Sequence, residues 1–173
     1  HIVNAAWSKM EVQNDDVDYY GVKYFNESMA WAAGSSGASG VVSASINGAN
    51  DWTTSYISST EILTDIALGT TIASSVEMHH ILAVGVNGDV TTIEEQGILG
   101  VVVYSNDNFA TNTAIRHSNM LFYIFGGAIG VSDVTSGTST FTAFIVGMGE
   151  DGNIATATGS NASPLSASSA WTK

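Results

Sequence analysis

The chain of 173 residues predicts an all-β protein, an antiparallel β-sandwich with few or no helices. Three observations lead there. Apolar, β-branched residues come in short runs rather than at helical spacing. Turn signals built from Gly, Asn and Asp recur about every dozen residues. The connections between the runs are too short for helical βαβ crossovers, which leaves antiparallel pairing.

The elements follow in chain order. The N-terminal segment 1–18 closes on Asn14-Asp15-Asp16-Val17-Asp18 and is expected to be extended. Residues 19–31 carry Tyr19, Tyr20, Tyr24, Phe25 and Trp31, and fit a strand or one short helix. Gly34-Ser35-Ser36-Gly37-Ala38-Ser39-Gly40 reads as a flexible link or exposed loop. Val42, Ala44 and Ile46 alternate with Ser43 and Ser45, the pattern of a half-buried strand, and Asn47-Gly48 turns the chain. Ile62, Thr64, Ile66 and Leu68 alternate as well, although 60–68 also admits a helix. Residues 78–86 are strand-like and end at Asn87-Gly88-Asp89. Asn-Gly favours a type I′ hairpin because both central residues need positive φ, so 90–93 are expected to return alongside. Residues 98–104 are a β-branched run expected as a buried strand. Residues 119–131 and 138–148 follow, and within the first, 120–131 reads as a buried strand pair or one bent strand. Glu150-Asp151-Gly152-Asn153 signals a turn, with 154–158 returning. The tail 159–173 is rich in Ser and Ala. It reads as an arm that docks Trp171 on a neighbour, or as a disordered end. One β-sandwich domain over 1–173 accommodates all of this, in a jelly-roll-like arrangement.

Composition excludes several functions. Sixteen acidic residues face four basic ones, for a net charge of −12 and a pI near 4.2. Lys9, Lys23, Arg116 and Lys173 are too few to displace the counterions of a nucleic acid or to dock on anionic lipid. No apolar run reaches the roughly 18–20 residues that span a bilayer as a helix. With no cysteine there is no disulfide, thiolate nucleophile or thiolate metal ligand. The apolar share of 45% is enough to build a core. Asp15, Asp16, Asp18, Asp89, Asp107, Glu150 and Asp151 fall in expected turns and loops, so the charge reads as a hydrated rim around a β core. Such a surface suits a protein outside a cell or in high salt.

The chemical candidates are few. His1 at a free N-terminus, with His79, His80 or His117 as partner, has the makings of a copper-binding histidine brace of the kind found in lytic polysaccharide monooxygenases. The sequence around His1 has none of that family's context, and its usual disulfides are missing. His79-His80 lies in an apolar strand, where adjacent side chains point to opposite faces and do not share one metal. One ring is expected in the core with a hydrogen-bond partner, the other at solvent or a subunit contact, where it would make assembly sensitive to pH. Asn14-Asp15-Asp16-Val17-Asp18 and Ser105-Asn106-Asp107-Asn108 offer oxygen ligands for calcium but lack EF-hand spacing, and such residues cap turns without any metal. Glu94-Glu95 is an adjacent pair, whereas a glycosidase needs carboxylates on opposite sides of a sugar. Asn26-Glu27-Ser28 and Asn161-Ala162-Ser163 match the N-glycosylation pattern. No nucleophile elbow, phosphate loop or dinucleotide fingerprint occurs. The sequence therefore assigns no catalytic, cofactor-binding or metal residues and reads as a non-enzyme.

The block from Glu77-Met78-His79-His80-Ile81-Leu82-Ala83-Val84 to Gly97-Ile98-Leu99-Gly100-Val101-Val102-Val103-Tyr104-Ser105-Asn106-Asp107 resembles the strand–hairpin–strand core of small viral coat proteins. In style it is similar to single-jelly-roll capsid proteins of tailless viruses with an internal membrane. The resemblance covers about a third of the chain and implies a coat function in a virion, with copies of itself and other coat subunits as partners and no direct contact with the genome. Two alternatives come from the residues themselves. One is an extracellular filament or pilus subunit that donates its N-terminal segment as a strand. The other is a secreted carbohydrate-binding module, using Trp7, Trp31, Trp52 and Trp171 as stacking platforms, or a copper monooxygenase using His1.

Overall fold

The computed structural model describes residues 16–37, 39–48, 50–58, 61–73, 76–87, 100–110, 113–116, 123–132, 139–148, 154–166 and 171–172. These form eleven strands and, among the described residues, no helix. They are β1 (Asp18–Tyr24), β2 (Ala30–Ser36), β3 (Ser39–Ser45), β4 (Thr53–Ser58), β5 (Glu61–Ala73), β6 (Val76–Asn87), β7 (Gly100–Ser105), β8 (Thr113–Arg116), β9 (Tyr123–Ser132), β10 (Thr140–Met148) and β11 (Ile154–Ser160).

The strands make three antiparallel sheets: β1-β2-β3-β4, β5-β6-β7-β8 and β9-β10-β11. The expected antiparallel β-sandwich is present. Each ladder joins strands consecutive in the chain. A jelly roll also pairs strands far apart in sequence, and no ladder of that kind occurs among the described residues. Short connections explain the meanders. The β2–β3 hairpin, for example, turns at Gly37, whose φ of 60° suits a residue without a Cβ.

The middle sheet is the centre of the molecule. Ile81, Ala83, Val101 and Val103 face the first sheet, where they pack with Trp31, Ala33, Val42 and Tyr56. Leu82, Val84, Val102 and Tyr104 face the third sheet, where they pack with Phe141, Ala143, Ile145 and Ala157. Both faces of β6 and β7 are thus covered by apolar layers. Strands buried on two faces need apolar residues at every position, not every second one, which is why 81–84 and 101–104 lack polar alternation.

β5 ties the sheets together. It pairs with β6 through a bulge between Leu63 and Asp65. There it runs past the edge of β9, and its side chains satisfy the free backbone of that edge. The Thr64 hydroxyl donates to the carbonyl of Ile124 at 2.8 Å, and the Asp65 carboxylate accepts the N–H of Gly127 at 3.2 Å. Side chains here block the open hydrogen-bonding edge that would otherwise invite another strand. Close approach is possible because the neighbours are small: a Cβ on Gly21 of β1 would lie 3.1 Å from Asp65 Oδ1, and one on Gly126 would lie 3.2 Å from Oδ2.

Several expectations are corrected. Residues 19–31 are neither one strand nor a helix; β1 ends at Tyr24, and an Asx turn follows in which Asn26 Oδ1 accepts the N–H groups of Ser28 and Met29. The Gly/Ser stretch 34–40 is no loose linker. Ser35 is buried in β2 and Gly40 in β3, because the small residues let the first sheet sit close to its surroundings. The alternation assigned to 42–46 is inverted at its end: Ser43 and Ser45 are buried and Ile46 is exposed, with Ser43 accepting or donating to the Tyr19 hydroxyl at 2.7 Å. Residues 61–68 lie in strand β5, as their alternation predicts, and not in a helix, while 123–131 lie in one bent strand rather than a strand pair, bulged opposite Val146 and Gly147 and largely exposed rather than buried. Strands β4 and β8 were not anticipated from the sequence. The strands also carry more charge than expected, since Asp18, Glu61, Asp65 and Glu77 lie in them. The expected hairpin at Gly88-Asp89 with its return 90–93, the pair Glu94-Glu95 and the turn 150–153 lie outside the described residues.

The C-terminal arm returns to its own sheet. Thr156 and Thr172 exchange two backbone hydrogen bonds, at 2.8 and 2.9 Å, and Leu165 and Trp171 pack on the core between the second and third sheets.

Candidate functional site

The outer face of the third sheet is distinctive in chemistry. Strands β9, β10 and β11 contain no Asp, Glu, Lys, Arg or His, in a chain whose net charge is −12. Alternation sends Phe141, Ala143 and Ile145 into the core and Phe144 and Val146 outward. Val146 stands opposite Ile154 on one side and Gly126 on the other. Phe144, Val146 and Ile154 are each more than two-fifths exposed. Monomeric proteins rarely expose a contiguous apolar patch of this kind without using it.

A trough of about 300 Å³ crosses this face. Phe144, Val146 and Ile154 form its apolar walls, and its floor is low where Gly126 has no side chain and Ala128 only a methyl group. It ends on the half-buried carboxylate of Asp65.

The two histidines separate as expected from the strand pleat. His80 is fully buried between the second and third sheets. Its Nε2 lies 2.8 Å from the Thr71 hydroxyl and its Nδ1 lies 2.7 Å from the Tyr104 hydroxyl. Phe141 stacks on the ring at 4.0 Å. Two partners at two ring nitrogens suit a neutral imidazole, one nitrogen donating and one accepting. Burial, aided by the neighbouring His79, lowers its pKa to about 4. Burial and the charge of Asp107 raise the Tyr104 phenol above its ordinary value. His79 points to the first sheet, not into open solvent, with its ring centroid 4.3 Å from that of Phe25 and 5.8 Å from that of Trp31.

The other candidates resolve into structural roles or lie outside view. His1 and His117 are outside the described residues, as are Asn14 and Asp15. Among the described residues, no three His, Asp or Glu side chains gather closely enough to hold a metal ion. The Ser105–Asp107 stretch shapes a turn: the Ser105 hydroxyl donates to Asp107 Oδ1 and accepts the N–H of Phe109, while Asn108 and Phe109 take positive φ. Of the tryptophans, Trp31 and Trp52 are buried and Trp171 is half-buried, so they serve packing; Trp7 lies outside the described residues. No described helix is long and apolar enough to cross a membrane.

Sequence reasoning missed Asp65 and Gly126. Nothing local marks them, because the trough arises only where the β5 bulge meets β9. No protein-family model, curated protein or solved structure matches the chain.

Proposed function

We propose that the chain is a self-assembling structural subunit, a coat protein of a virion whose partners are copies of itself and other coat subunits. One observation carries the reading: the third sheet turns an uncharged face with Phe144, Val146 and Ile154 exposed to its surroundings. In a chain of net charge −12, most surfaces repel a second copy at low salt. A neutral apolar face escapes that repulsion and gains from burial in a contact. High salt screens the acidic rim and favours the same contact.

Size-exclusion chromatography with light scattering, followed by negative-stain electron microscopy, tests this. Discrete oligomers that grow into shells or sheets as salt is raised are expected. A strictly monomeric protein at high concentration and high salt would overturn the reading, and long filaments would replace the coat by a filament subunit.

A further inference from the structure

We propose that the trough on the third sheet is a socket for a lysine side chain presented by a neighbouring subunit. The inference rests on the assembly reading for the source of the lysine, while its chemistry rests on the trough alone. The walls are the apolar side chains of Phe144, Val146 and Ile154, and the floor is bare at Gly126 and carries only a methyl group at Ala128. An unbranched chain of methylenes can lie along such an apolar channel. At the end stands one carboxylate. Asp65 Oδ2 already accepts the Gly127 N–H, but a carboxylate has about four lone-pair directions and can accept more.

Charge complementarity selects the occupant. An apolar channel ending on an anion favours an alkyl stem with a cationic head, the shape of lysine, which buries its methylenes and keeps its ammonium on an acceptor. The strands β9, β10 and β11 bring no other charged side chain to compete. The protein's overall negative field draws cations toward it. Arginine fits less well, since its planar fork seeks bidentate acceptors and one carboxylate oxygen already holds Gly127.

Titration of the intact chain with n-butylammonium chloride, read by amide NMR, tests the socket without requiring assembly. Saturable shifts at Gly126, Gly127 and Val146 are expected, with 1-butanol far weaker at the same concentrations. Asp65→Asn keeps an acceptor for Gly127 and removes the charge; it should weaken butylammonium by about fivefold or more, in line with the loss of one partly exposed charge pair. Gly126→Val, which fills the floor, should abolish the shifts while the remaining spectrum keeps its dispersion. Equal binding of 1-butanol and butylammonium, no binding, or an unchanged affinity in Asp65→Asn would overturn the socket. If butylammonium binds as described, the lysine is tested by light scattering. Loss of oligomers in Asp65→Asn supports a subunit lysine, and unchanged oligomers in that variant refute it. A wild-type protein that stays monomeric yet binds butylammonium would instead remove the assembly reading and leave the cation site standing.

Discussion

The hydroxyl of Tyr104 lies 2.7 Å from Nδ1 of His80, in the seam where the middle sheet meets the third. The two residues are 24 positions apart in sequence and meet because β6 and β7 pair side by side. Their contact sets the first prediction.

The folded chain should lose stability as pH falls from about 6.5 to about 4. In that window the unfolded chain protonates His80 at its ordinary value, while the folded chain, with the pKa lowered to about 4, does not. The unfolded state therefore binds more protons and is favoured as pH falls; below about 4 the folded ring also protonates and this contribution levels off. The full effect is about 3 kcal/mol. Carboxylates add their own pH dependence, so the measurement is the difference between wild type and His80→Gln in chemical denaturation across this range. Parallel pH profiles for the two proteins would contradict the account.

Gly85→Ala should be severely destabilising, by about 3 kcal/mol or more. A Cβ at Gly85 would sit 1.9 Å from the Ile62 carbonyl oxygen, a backbone atom held by the β5–β6 ladder. Thermal unfolding reads the loss directly. A melting temperature close to wild type would mean that β5 and β6 do not approach as described.

Thr64→Val preserves shape and removes the hydroxyl that donates to the Ile124 carbonyl. The expected cost is about 1–2 kcal/mol, the penalty for leaving a partly buried acceptor unpaired. Amide hydrogen exchange should rise in β9 more than in β2 or β3. Uniform exchange along the chain would show that β5 does not guard that edge.

Replacing Phe144 and Val146 together by Ser and Thr should leave stability within about 1 kcal/mol, since both side chains are exposed, and should prevent assembly. Light scattering and denaturation on the same sample check both halves. Assembly that survives this pair of changes places the contact on another face.

Trp171→Ala should cost about 1–2 kcal/mol, because the ring is half-buried on the core beside Leu165. A disordered tail would show no change in the unfolding midpoint.

Much of the fold was legible in the residues. Short β-branched runs and Gly/Asn/Asp turns located β6, β7, β10 and β11 to within a few residues, and the start of β5, which runs on from Leu68 to Ala73. The strand pleat alone predicted that His79 and His80 face opposite ways. The failures have physical causes. Thr53–Ser58 and Thr113–Arg116 are short strands held in place by their neighbours, with little intrinsic signal. The Gly/Ser stretch 34–40 looks like a linker by composition, yet small residues are also what a tightly apposed sheet requires: a Cβ on Gly34 would lie 2.0 Å from the Asp18 carbonyl oxygen.

What the sequence by itself determined is the all-β, antiparallel character, the acidic charge and the charge-free nature of the last three strands, since these follow from residue type and from a period of two. What only the tertiary structure decided is which layer covers each face. The pleat says that neighbours point apart, but whether a face meets a second sheet or solvent depends on how meanders stack. That stacking buries His80, exposes Phe144, and brings Asp65 to Gly127 across 62 residues. A carboxylate, an edge amide and an apolar trough become one place only because the β5 bulge turns Asp65 toward β9.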